Sequence, residues 1–336
     1  MKYFYSSFFI TTVGLVIAYY LGGFTAVYIC VLLSILEISL SFDNAVVNAK
    51  VLNTMDEIWQ RRFIVYGIPI AVFGMRFLFP LLVVSMAAGL SMLQTLNLAI
   101  SNPEAYHTAL ESSKEQIYIF GGAFLIMVFF DFFFDKNRQI HWLKFLEDNF
   151  LTKYLKKVPN IGIIIAVFVG IYIVTLTDNS VYAVAFFLAI AIHILILSVN
   201  EMFSIDGVRN GLMGFLYLEV LDASFSFDGV IGAFALSSNI FIIMIGLGIG
   251  AMFVRSITIY LVKKQTLAEF VFLEHGAHYA IFALALIMFL KVFYEVSEVI
   301  TGTIGFGFIL ISFIASVYEN KRRNKKLMEV ESKNFD

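Results

Sequence analysis

Apolar stretches about as long as a bilayer is thick recur from one end of the chain to the other, separated by short clusters of charge. A membrane-spanning helix needs roughly 17–25 such residues. The pattern predicts ten of them, at 4–22, 24–50, 63–90, 116–134, 161–177, 180–199, 211–236, 239–262, 275–294 and 299–318. The predicted fold class is therefore an all-α polytopic membrane protein. The fifth segment is short enough to be re-entrant, which would change the parity. Between the fourth and fifth segments, near 136–160, apolar residues recur at helical spacing with lysines between them, predicting an amphipathic helix on the cytoplasmic interface. The chain thus divides into a first membrane half at 1–160, a second at 161–320 and a basic tail at 321–336.

Composition sharpens this picture. The 336 residues are 60% hydrophobic and 14% charged, against about 25% charged in a soluble domain. The single cysteine, Cys30, excludes a disulfide within the chain and a thiolate metal cluster. No basic stretch suits a nucleic-acid partner. Lys2 followed directly by apolar residues reads as a retained helix rather than a cleaved leader. Basic residues set the orientation. With ten spans and both termini cytoplasmic, the inner loops and tail collect Lys50, Arg61, Arg62, Lys136, Arg138, Lys156, Lys157, Arg209, Lys263, Lys264 and Lys321 among others, while Lys114 and Lys291 lie outside. That asymmetry follows the positive-inside rule. The expected location is the cell (inner) membrane, multi-pass, with the bilayer as partner and a homo-oligomer left open.

Within the apolar background two stretches nearly repeat. One runs from Glu37 through Ser39, Ser41 and Phe42 to Asp43 and Asn44; the other runs from Asp222 through Ser224, Ser226 and Phe227 to Asp228 and Gly229. Each sets an acid six positions before the aspartate of a Ser-Phe-Asp core, and they lie five spans apart. An odd separation inverts the second copy, so two inverted repeats related by an axis in the membrane plane are expected. Arg76 against Arg255, and Gly121-Gly122 against Gly276, echo the repeat. At 1.5 Å per residue Glu37 and Asp222 both fall near the midplane, with Asp43 on the inner side and Asp228 on the outer. Six residues turn a straight helix through about 600°, leaving the paired acids about 120° apart. The intervening serines can bond backbone carbonyls, so a kink or unwound turn is expected in both copies.

A carboxylate at mid-membrane costs roughly 2.5–3.5 kcal/mol. Glu37, Asp43, Glu219, Asp222 and Asp228 therefore cost on the order of 10–15 kcal/mol before compensation. Two arginines do not neutralise five acids. Carboxylates accompanied by Asn44 and serine oxygens, without thiolates, suit a hard divalent cation such as Mn²⁺, Mg²⁺ or Ca²⁺. Glu37, Asp43, Asn44, Glu219, Asp222 and Asp228 are the expected metal ligands or proton carriers. Arg76 either compensates the acids or snorkels; Arg255, close to its span end, reads as snorkelling. Glu274, His275 and His278 at the start of span nine fit a cytoplasmic gate, a proton relay, a second metal site or a polar helix start. His193 reads as a buried, hydrogen-bonded histidine, and Asp131 and Asp135 as interfacial.

The Glu-x5-Asp-Asn-Ala-Val stretch of the first half and the Asp-x5-Asp of the second resemble the TerC family of integral membrane proteins, and with Phe272–His278 the match is closest to its DUF475 branch. The resemblance covers about 30–320. It implies a transporter of the LysE superfamily, with links to tellurium resistance and manganese export, and carries over Glu37, Asp43, Asn44, Asp222 and Asp228. Gly229 departs from the serine usual after the second aspartate. The expected function is divalent-cation transport, most simply manganese export by alternating access, without enzymatic activity or a prosthetic group. Two alternatives stay open: an intramembrane aspartyl protease, which lacks support from a Gly-x-Gly-Asp motif, and a non-transporting scaffold in a metal or tellurite stress response.

Overall fold

A computed structural model describes residues 2–203, 211–234, 236–237, 239–264 and 270–333. These residues are helical almost throughout, and no strand occurs among them. Six helices are long and apolar enough to cross a membrane, or seven if one bent pair is a single span. The chain is a membrane-embedded, multi-pass helical protein.

The first helix, α1 (Tyr5–Leu40), would run about 54 Å if straight, well beyond a hydrocarbon core of about 30 Å. It folds back on itself instead. Gly22 (φ −160°, ψ 24°) and Gly23 (φ 64°, ψ −153°) leave helical geometry, and Gly23 occupies a region that only glycine enters cheaply. Contacts along α13 (Ile240–Lys263) show the reversal. Ser7 donates to the Met252 carbonyl at 2.8 Å, Gly14 lies against Ile249 and Gly22 against Ile242; then Cys30 returns to the Ile242 carbonyl, Ser34 donates to that of Gly246 at 2.9 Å, and Glu37 reaches Gly250. Both arms of the hairpin pack on one helix. The break falls where the sequence pattern separates spans one and two. Nothing lies within 4 Å of a Cβ added at Gly23, so Gly23→Ala should cost backbone strain alone. The expected loss is about 1–3 kcal/mol, read as a lowered thermal midpoint in detergent.

After a break at Ser41 the chain continues as α2 (Phe42–Asn53). Next come α3 (Glu57–Pro69), a π-helical segment (Ile70–Leu78) and α4 (Phe79–Ala88). Pro69 lacks an N–H and crowds the preceding turn. The widened segment follows it directly, Phe79 N–H bonds the Gly74 carbonyl five residues back, and the axis bends by 47°. The stretch between the third and fourth predicted segments folds as two short helices, α5 (Met92–Ser101) and α6 (Pro103–Glu111), the first opened by a Ser91–Gln94 capping box.

Then follow α7 (Lys114–Phe133), α8 (Lys144–Glu147), α9 (Phe150–Leu155), α10 (Ile161–Thr177), α11 (Ser180–Phe203), α12 (Gly211–Phe234), α13, α14 (Leu273–Lys291) and α15 (Glu298–Lys333). The apolar windows of α7, α13 and α14 are each 72% buried, whereas those of α1, α11 and α15 are 28%, 28% and 22% buried. The former are the inner helices; the latter turn most of their surface to lipid. The 136–160 stretch is not one amphipathic helix. Asn149 caps α9 by accepting from Thr152 N–H, and Glu147 turns inward. The expected apolar face survives on the two short helices as exposed Phe145, Phe150, Leu151 and Tyr154.

Three pairs of helical segments from the two halves pack antiparallel. Glu37 lies by Gly229, Asn44 by Asp222 and Met55 by Gly214; Gly67 lies by Arg255, Val72 by Gly248 and Phe77 by Phe241; Gly121 lies by Met288, Phe129 by Phe282 and Phe132 by His275. The two Ser-Phe-Asp segments thus run in opposite directions against each other.

Candidate functional site

The site forms where the first of these pairs meets the second. Glu37, near the end of the second α1 arm, is 1% exposed. Its position requires glycine opposite: a Cβ on Gly250 would sit 2.5 Å from Glu37 Cβ. Arg76, in the π-helical segment and 3% exposed, donates from Nη2 to Glu37 Oε1 at 2.5 Å, and its Nη1 stands 3.9 Å from Asp222 Oδ2. Asn44 Nδ2 donates to Asp222 Oδ1 at 2.5 Å. Ser41 Oγ donates to Glu37 Oε1 at 2.7 Å. One guanidinium therefore bridges an acid from each copy of the repeated motif; Asn44 takes the other oxygen of Asp222, and Ser41 shares Glu37 Oε1 with Arg76.

Beside this bridge lies a cavity of about 20 Å³, lined by Asn48, Arg76, Glu219, Asp222, Arg255 and Thr258 among others; that is room for about one water-sized occupant. Arg255 is buried, with its guanidinium 4.1 Å above the Phe63 ring. It does not snorkel: stacking on Phe63 from α3 and the carboxylates of α12 hold it inside. Several acceptors here lack partners. Asn44 Oδ1, Asn48 Oδ1 and Glu219 Oε1 are buried without a hydrogen bond, although native interiors normally satisfy such atoms. The amide donation to Asp222 fixes which Asn44 atom is the oxygen.

The other predicted residues are placed differently. Asp43 is 4% exposed and accepts from Asn44 N–H at 2.9 Å. A Cβ on Gly305 of α15 would lie 3.7 Å from its Oδ2, so Asp43 faces that helix rather than Arg76. The side chain of Asp228 lies outside the described residues. Gly229 stands against Glu37 Oε2, 3.2 Å from where a Cβ would be; a serine there would touch that carboxylate. Among the described residues no three of His, Cys, Asp and Glu gather as a metal cluster.

The expected break at the serines occurs in one copy. Ser41 leaves helical geometry (φ −108°, ψ 14°) and turns its hydroxyl to Glu37. Through Ser224 and Ser226 the α12 helix is continuous. Ser224 Oγ donates to the Val220 carbonyl at 2.9 Å, a bond that a regular helix accommodates.

Glu274, His275 and His278 do not converge. Lys50 Nζ meets Glu274 Oε2 at 2.9 Å; His275 Nε2 lies 2.9 Å from the Ile140 carbonyl and 3.5 Å from Glu147 Oε2; His278 stacks on Phe132 at 3.8 Å, its Nδ1 against the Glu274 carbonyl. They tie the start of α14 to three places: Glu274 to α2, His278 to α7, and His275 to the 136–160 loop. The centre of that contact, Glu147, went unrecognised in the sequence. It accepts from Trp142 N–H, Leu143 N–H and Tyr279 Oη–H, and lies 3.4 Å from Arg138 Nη2. Burial pushes its carboxyl up, but His275, Arg138 and the Leu143 N–H outweigh burial and hold it at about 2. His193, fully buried, lies 3.1 Å from Asp131 Oδ2 and against the Phe124 and Tyr217 rings.

A bundle of apolar helices closed around a carboxylate–arginine network defines a membrane-embedded helical protein with a buried polar centre. A family model described as "Protein of unknown function (DUF475)" matches residues 42–323, and the chain belongs to that family. The match takes in Asp43, Asn44, Arg76, Glu219, Asp222, Asp228 and Arg255 but begins after Glu37. No curated protein and no solved structure matches the chain.

Proposed function

We propose that the chain is a transporter that binds a divalent cation, Mn²⁺ foremost, between the first Ser-Phe-Asp segment and α12. The observation that carries this reading is the set of buried oxygens around Glu37 and Asp222. Carboxylates placed deep in the bundle, joined by Asn44 Oδ1 and Asn48 Oδ1 without hydrogen-bond partners, make a hard, oxygen-only donor set. A fold needing only charge compensation gains nothing from orphaned amide oxygens. Glu37, Asp222 and Asn44 are the proposed ligands, with Asp43 and Asp228 as ligands or proton carriers toward the two membrane faces.

The antiparallel pairs of spans two and seven, three and eight, and four and nine support two inverted repeats. In that scheme the α1 hairpin supplies two spans, the bent α3–α4 unit one, and α7 and α10–α15 seven more, giving ten with both termini cytoplasmic. The reading also places the chain near the TerC proteins of the LysE superfamily. Export would follow alternating access, coupled to protons taken up by carboxylates that have released the ion.

Everted vesicles provide the test. Asp43→Asn and Asp228→Asn should each abolish uptake of labelled Mn²⁺ while the protein still inserts in the membrane at normal levels. Uptake at the unmodified rate in both variants would overturn the site.

A further inference from the structure

Arg76 already occupies the place that the cation reading assigns to the ion. Its guanidinium lies between Glu37 and Asp222, one positive charge against two negative ones. Across the shared cavity stands Glu219, whose buried Oε1 has no hydrogen-bond partner and which lies within electrostatic range of Arg76. An unsatisfied carboxylate oxygen facing the same small cavity is a second berth for a guanidinium. Arg255, held over Phe63, lines the cavity too. The backbone beneath Arg76 suits a shift: it belongs to the π-helical segment after Pro69, where the axis bends by 47°, and such segments tend to mark functional positions.

We infer that Arg76 is a tethered cation that competes with the transported ion, sitting on Glu37 and Asp222 when no ion is bound and moving to Glu219 when one is. This rests on the cation reading of the site and deepens it. It fixes the valence of the cargo. A monovalent ion gains nothing over the guanidinium it displaces, whereas a divalent ion neutralises both carboxylates. It also gives Glu219 a role distinct from ligation: it accepts the displaced arginine, so that no charge is left unpaired in the bundle.

Mn²⁺ binding to the purified full-length chain in detergent tests this, read by calorimetry and by the metal-dependent rise in thermal midpoint. Wild type is compared with Arg76→Gln, Glu219→Gln and the double variant. Arg76→Gln should bind Mn²⁺ about tenfold more tightly and Glu219→Gln about tenfold more weakly, changes within the range that directly coupled charges give. The Glu219 substitution should have no further effect once Arg76 is glutamine. Equal affinity of wild type and Arg76→Gln overturns the proposal. So does a Glu219→Gln loss that persists in the double variant, because Glu219 would then be a ligand of the ion. Binding to none of the four proteins removes the cation reading itself. If Arg76→Gln does not fold, infrared difference spectra of wild type carrying guanidinium-labelled arginine decide the matter. Bound Mn²⁺ must shift a guanidinium band, with the shift absent in Arg76→Lys; bound Mn²⁺ with no guanidinium change overturns the proposal.

Discussion

Glu37→Gln should lower the stability of the protein by about 3 kcal/mol, the lower end of what removing one partner of a buried ion pair costs. The substitution keeps the side-chain volume, so no cavity contributes. What changes is the charge beneath Arg76, which is 3% exposed and bonds Glu37 at 2.5 Å. Asp222 stays at 3.9 Å, a longer contact than the one removed. Exposed ion pairs are worth at most about 1 kcal/mol, so the size of the loss separates a buried pair from a solvated one. Unfolding in mixed micelles, with thermal midpoint as a second readout, measures it. Adding Arg76→Met removes the stranded guanidinium and should recover most of the deficit, giving a coupling energy of about 2 kcal/mol or more in the double-mutant cycle. A single-variant loss below about 1 kcal/mol would show that the pair is solvated in the membrane-embedded protein.

Much of the site was legible in the sequence, because a charge in an apolar span has few innocent explanations. The repeated acids located Glu37 and Asp222, and the two segments pack antiparallel, as an odd number of predicted spans between them would have it. The partner assignments were less accessible. Arg76 and Glu37 are 39 positions apart, and nothing in either segment indicates which acid a buried arginine will choose. Arg255 was misread for a related reason. Distance from a span end predicts snorkelling only if no neighbour covers the side chain, and Phe63, far away in sequence, covers it. The serines show a third limit. Ser41 and Ser224 stand in equivalent motifs, yet one hydroxyl turns to a carboxylate at a helix break and the other to a carbonyl within a continuous helix. The motif offers both bonds, and the surroundings select one.

The elements themselves divide in the same way. Gly22-Gly23 marks its break in the sequence, since paired glycines in an apolar run permit a reversal that no other residues tolerate cheaply. The 136–160 stretch has the apolar spacing of one helix, and its outward residues do face outward. Periodicity ranks Glu147 among the polar residues of the solvated face, however, whereas it is the residue that the loop folds around. Its five neighbours come from the loop itself and from α14, so the pattern around it in sequence carries no trace of its burial.

That burial makes Glu147 the place where acid should loosen the protein. Its carboxyl sits at about 2 in the fold against an ordinary value of 4.5. A carboxylate depressed in this way stabilises the folded form above the unfolded value. The contribution is lost as pH falls from about 4.5 through about 2, where the folded group takes up its proton. The amount is about 3 kcal/mol, and Glu147→Gln should forfeit a similar amount at neutral pH. The loss should be local. Trp142 and Leu143 N–H both point at this carboxylate, so their hydrogen exchange should accelerate by about two orders of magnitude in the variant, as that free energy implies. Trypsin should then cut at Lys144 and Lys153 before it reaches any span. His275→Ala should reproduce part of the effect, because the imidazole is the strongest single influence holding the carboxyl down. If exchange at Trp142 and Leu143 is unchanged in Glu147→Gln, the loop is held by its apolar face on the membrane and not by the buried carboxylate.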